Sequence, residues 1–157
     1  MKHSYRTGIS FGLTSGIITT LGLMIGLYSS TNSKLVVIGG ILTIAIADAF
    51  SDALGIHIAE ESKQNHKKEI WEATVFTFFI KFFIAMTFLV PVLLFSLKIA
   101  ILIGVLWGLF WLGVLSYCIA RARRESAMPV ILEHWLIALV VIIITHYVGN
   151  WVGQRFV

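Results

Sequence analysis

The chain has 157 residues, of which 58% are hydrophobic and only 13% charged, with a formal charge of +4 and a mean hydropathy of +0.91. A water-soluble domain of this size lacks the polar surface to cover so much apolar side chain, so the composition excludes a soluble globule and points to a bilayer as solvent. The basic excess lies in short hydrophilic breaks rather than on one face, which argues against a nucleic-acid partner, and Cys118, the single cysteine, leaves no intrachain disulfide or thiolate metal cluster.

Five apolar runs fill the chain, over 8–29, 35–59, 72–94, 99–120 and 130–152, each near the ~20 residues a helix needs to cross the hydrocarbon core. They are continuous and lack period-2 alternation, so helices are expected rather than a barrel. The expectation is one all-α domain over 1–157, a polytopic membrane protein with five transmembrane helices and almost no soluble part. In the first run Gly8, Gly12 and Gly16 recur every fourth residue, and Gly22 and Gly26 repeat the spacing. Such a stripe admits a close backbone neighbour, either across a dimer or within the chain. Thr14, Ser15, Thr19 and Thr20 add hydroxyls to this run, whose full length reads as a retained span rather than a cleaved signal peptide.

The second run carries Asp48 and Asp52, four residues apart and therefore on one helix face. Two like charges in a low dielectric must bind a cation, share a proton or pair with a base. His57, near the end of this run, reads either as a ligand at the mouth of a pathway or as a solvated histidine. Glu60, Glu61, Glu69 and Glu72 with His66 follow around the second break, as a solvated turn or as carboxylates that concentrate cations. Lys81 stands in the third run, where it neutralises one aspartate or acts as a gate or proton-linked group. His146, in the fifth run, bonds a neighbouring helix or takes part in transport. Trp71, Trp135 and Trp151 fall near span ends, as interfacial anchors do.

The amino terminus and the second and fourth breaks hold Lys2, Arg6, Lys63, Lys67, Lys68, Arg121, Arg123 and Arg124, against Lys34, Lys98 and Arg155 on the other side. This bias places the amino terminus in the cytoplasm and the carboxyl terminus outside. Counting from the span ends at ~1.5 Å per residue then puts Ser15, Asp48, Asp52 and Lys81 in one layer, roughly 10 to 17 Å below the cytoplasmic boundary.

Three stretches carry a family resemblance. Gly12-Leu-Thr-Ser-Gly-Ile-Ile-Thr-Thr20-Leu-Gly22 is similar to G-x-N-D-G-L-V-T-T-x-G, Ala47-Asp-Ala-Phe-Ser-Asp-Ala-Leu-Gly55 to A-D/G-A-x-S-M-A-x-G, and Ile144-Thr-His-Tyr-Val-Gly149 to x-T-Y-x-I-G; Pro91 fits a proline closing the third helix. In this order the stretches resemble the vacuolar iron transporter family, from about Gly8 to Gly153. The resemblance implies a five-helix homodimer that exports ferrous iron or manganese from the cytoplasm in exchange for protons. It implies ligand positions at Ser15 and Asp52; together with the residues read above, the expected site has metal ligands at Asp48, Asp52 and Ser15, with His57, Glu60 and Glu61 gathering cations, Lys81 and His146 in proton coupling or gating, and Gly8, Gly12 and Gly16 in dimer packing. Ser15 stands where the family has an aspartate, Asp52 where it has a methionine, and Ile56 where it has a glutamate. One carboxylate thus leaves the first helix and another joins the second, which exchanges a soft thioether for a hard oxygen.

The expected function is therefore proton-coupled divalent cation transport, with no enzymatic activity, no permanently bound cofactor, and the metal as substrate. The expected partners are the bilayer, a second copy and the metal ion, and the expected location is multi-pass in a membrane, the cell membrane in a prokaryote. Two other readings use the same residues: a non-transporting scaffold or regulator in which Asp48, Asp52 and Lys81 form a structural network, and a proton-coupled carrier of a small organic cation.

Overall fold

The computed structural model describes residues 3–156; Lys2, counted above for orientation, lies outside them. The described residues form α1 (His3–Thr31), α2 (Lys34–Ser62), α3 (Lys67–Thr87), α4 (Leu89–Leu94), α5 (Leu97–Arg123) and α6 (Ala127–Phe156). Helices α3 and α4 share one span, Lys67–Leu94, so five candidate membrane spans of 27 to 30 residues result. At ~1.5 Å per residue these reach about 40 Å, beyond the ~30 Å of hydrocarbon. The chain is an integral multi-pass membrane protein by helix length and composition.

Every helix runs past its apolar stretch, because backbone hydrogen bonding continues into the polar flanks until a cap or turn stops it. At the start of α2, Ser33 is in extended conformation and its side chain accepts from the Val36 amide. Asn32, Gln64 and Arg124 adopt positive φ at the α1–α2, α2–α3 and α5–α6 turns, the left-handed step that commonly ends a helix. The third span is not continuous. Pro91 has no amide proton and its ring crowds the carbonyl four residues back, at Thr87, which is where α3 ends, with Phe88 bonding back to Ala85 at 3.1 Å. Lys34 Nζ donates to the carbonyls of Leu93 (3.2 Å) and Phe95 (3.1 Å), so a cation satisfies the exposed end of α4.

Helix α1 is the axis of the bundle and packs against α2, α3, α5 and α6. Half of its most apolar window is buried, against 6% for α6, so α6 is the peripheral helix. The core gathers Ile17, Leu21 and Met24 of α1 with Val37, Ile41, Phe88, Val92 and Leu112. Lipid offers no hydrophobic drive for helix association, so close van der Waals fit and small residues must supply it.

The α1 glycines use their surface within the chain. A Cβ at Gly8 would lie 2.7 Å from the Ala73 carbonyl oxygen, and one at Gly12 2.9 Å from that of Thr77. Gly16 is equally tight against Ile84. The stripe expected to pack a dimer is the seam that lets α3 lie against α1. Farther along α1, Gly149 and Gly153 of α6 close on Gly26 and Ser30 in the same way.

Candidate functional site

The α1–α3 seam sets the site. Because Gly12 and Gly16 bring α3 close, Lys81 of α3 is laid beside Ser15 of α1; its Cγ would be 3.2 Å from a Cβ at Gly16. On the α2 side, Asp48 and Asp52 present one face a turn apart. Lys81, a residue only 1% exposed, ends with its ammonium between them.

Lys81 Nζ is 2.5 Å from Asp48 Oδ2, donates to Asp52 Oδ2, and donates to Ser15 Oγ at 2.9 Å. Ser15 Oγ in turn donates to Asp52 Oδ2 at 2.5 Å. The Asp52 contact is both ion pair and hydrogen bond, whereas the Asp48 contact is an ion pair whose direction makes no hydrogen bond. Counted at their formal charges, two carboxylates and one ammonium sum to one negative charge. The aspartate side chains keep 26% and 20% of their surface exposed, against 2% for Lys81. They therefore stand between the enclosed lysine and the outside of the bundle. Asp48 opens into a groove of about 520 Å³ between α1 and α2, with Thr19, Leu23, Thr43, Ile44 and Ala47.

The other expected site residues lie elsewhere. His57 is five residues past Asp52, about 140° further round the helix, and its Nδ1 pairs with Thr74 Oγ1 at 3.0 Å. Its ring meets Trp71 edge to face at 4.9 Å. Glu60 is 1% exposed and is engaged by Lys63 Nζ and Asn65 Nδ2, both at 2.7 Å, so it ties the α2–α3 turn together. Glu61 is exposed beside it. His146 sits between α1 and α6, with Nδ1 2.7 Å from Ser29 Oγ and Nε2 3.0 Å from Asn150 Nδ2. Among the described residues, no three His, Cys, Asp or Glu side chains come together in a way that could hold a metal ion. Thr14 and Thr19 bond the carbonyls of Ser10 and Ser15 in their own helix.

Some polar contacts had no signal in the sequence. Ser116, fully buried, is 2.8 Å from His134 Nδ1, and Trp107 Nε1 donates to Thr87 Oγ1 at 3.0 Å. These residues are far apart along the chain, and only the rotation of α5 against its neighbours joins them.

Comparison with models of protein families, with curated proteins and with solved structures finds no match to this chain.

Proposed function

We propose that this protein carries a divalent metal cation, ferrous iron or manganese, across the membrane in exchange for protons, and that Lys81 is the built-in cation holding the metal's place when the site is empty. The observation that carries the reading is the Lys81 ammonium held between Asp48, Asp52 and Ser15. Buried charge inside a span is costly and marks ion pathways. The resemblance of the α1, α2 and α6 stretches to the vacuolar iron transporter family supports the same substrate class.

The chemistry follows from charge. A divalent ion reaching the aspartates through the α1–α2 groove replaces the ammonium, and Lys81 gives up a proton. Two carboxylates, a divalent ion and a neutral amine sum to zero, where the empty site held one negative charge, so one proton leaves for each metal bound. Metal and ammonium are mutually exclusive, which is the basis of exchange. The oxygens of Asp48, Asp52 and Ser15 suit a hard or borderline ion such as manganese or ferrous iron.

A second copy completes the proposal. The partly exposed aspartates would otherwise face hydrocarbon, and the open face of α2 beside them presents Gly39, Thr43, Ala47, Ser51, Gly55 and Ala59 at every fourth position, all exposed. A Cβ at Gly39 or Gly55 meets nothing within 4 Å. Two α2 helices packed on this face would cover the carboxylates and bring four of them near one axis. In the proposed orientation the α2–α3 and α5–α6 turns are cytoplasmic, following the basic residues, and transport is export from the cytoplasm.

One observation favours a non-transporting role instead: Lys81 engages both aspartates, so each carboxylate has an ionic partner without a substrate. Flux into proteoliposomes separates the two. Manganese, ferrous iron, cobalt and zinc are supplied outside vesicles holding a metal dye and a pH dye. Transport of manganese or iron with opposite proton movement, lost in Asp52→Asn, supports the proposal, and silence for all four ions supports the scaffold.

A further inference from the structure

Outside the lysine cluster, the α2–α3 surface holds a groove of about 330 Å³. Phe50, Leu54, Phe78 and Phe79 wall it, and His57, Trp71 and Thr74 form one end. From His57 to Phe50 is seven residues, about 10 Å along the helix. The groove thus has a polar end near the α2 terminus at Ser62 and an apolar length running toward mid-span, the shape of a membrane amphiphile.

The polar end has a defined sense. Thr74 Oγ1 donates its one proton to the Ile70 carbonyl at 2.7 Å. Toward His57 Nδ1, 3.0 Å away, the hydroxyl therefore acts as acceptor, and this bonding assigns the imidazole proton to Nδ1. Nε2 is then a bare acceptor, and among the described residues nothing bonds it. A group that fits must bring a hydrogen-bond donor. A carboxylate has none, and an ammonium brings three donors and a charge into a groove that offers one neutral acceptor and no lining carboxylate, which leaves the charge unpaired. A hydroxyl matches the single acceptor.

We infer that this groove binds a neutral, single-chain lipophile whose head is a hydroxyl, donating to His57 Nε2 with its chain along Phe50, Phe78 and Phe79. The inference is independent of the metal reading, since neither Asp48, Asp52 nor Lys81 takes part.

The test uses the full chain in nanodiscs of phosphatidylcholine, whose lipids carry no hydroxyl donor, with histidine ring nitrogens followed by NMR. The probes are dodecan-1-ol, its methyl ether and dodecylammonium. In the unliganded protein His57 is expected to carry its proton on Nδ1. Dodecanol should bind saturably and shift Nε2, the ether should bind about fivefold more weakly through the loss of one hydrogen bond, the ammonium should bind more weakly than the alcohol because its charge stays unpaired, and His57→Phe should bind alcohol and ether alike. The inference is overturned if the proton is on Nε2, if no probe saturates, if the ether matches the alcohol in the wild type, or if the ammonium binds tighter than the alcohol.

Discussion

Replacing Lys81 by methionine keeps the length and apolar stem of the side chain and removes only the ammonium. The wild-type ammonium serves two carboxylates and the Ser15 hydroxyl, so the variant leaves Asp48 and Asp52 as neighbouring like charges without a counterion. Breaking a buried pair from one side costs about 3–5 kcal/mol. The aspartates keep 26% and 20% of their surface exposed, so partial solvation favours the lower end, about 3 kcal/mol. For a chain of this size each kcal/mol moves the melting temperature by ~2–4 °C, so a fall of about 6 to 12 °C is expected. Adding Asp48→Asn and Asp52→Asn removes the uncompensated charge, and the triple variant should regain most of the loss, the non-additivity that marks a shared network. Thermal unfolding in detergent micelles measures all three proteins. A Lys81→Met protein as stable as wild type, or a triple variant no better than the single one, would refute a stabilising role of the Lys81 ammonium between the two aspartates.

Gly16→Leu should destabilise the monomer fold by roughly 1–3 kcal/mol through overpacking, since its Cβ would sit 2.5 Å from Ile84 Cγ2; unfolding midpoints of wild type and variant compare directly. Glu60→Gln removes the charge on two hydrogen bonds of the α2–α3 turn and should cost about 1–2 kcal/mol, read as a lower midpoint and faster amide exchange over 60–66. In a Cys118→Ser background, a cysteine at Ser33 should react with an impermeant thiol reagent added outside intact cells and one at Asn65 should not; the reverse pattern would invert the proposed orientation.

The spans are legible in the sequence because each apolar run is long and the charges gather in the breaks, but their ends are not, since helical hydrogen bonding outlasts hydropathy. The interruption at Phe88 is encoded by Pro91, three residues later, and a helix boundary is displaced from its proline by that reach. Counting residues from the span ends brings Ser15, Asp48, Asp52 and Lys81 to one depth, and their side chains meet. Depth does not reveal that one ammonium serves both aspartates, because periodicity orients a side chain on its own helix and says nothing of how three helices are rotated together. His57, Glu60 and Glu61 look like a cluster along the chain, yet His57 turns toward Thr74 and Glu60 folds under its own turn. The glycine stripe of α1 is legible as a close-packing surface, while its partner, α3 of the same chain, is not.

Competition between a metal ion and the Lys81 ammonium for Asp48 and Asp52 can be read by isothermal titration of manganese into the detergent-solubilised protein in two buffers of different protonation enthalpy. The difference between the two heats counts the protons released. Saturable binding with about one proton released per ion is expected, with both lost in Asp52→Asn while the variant stays folded. Binding without proton release, binding undiminished in Asp52→Asn, or no binding at all would contradict it.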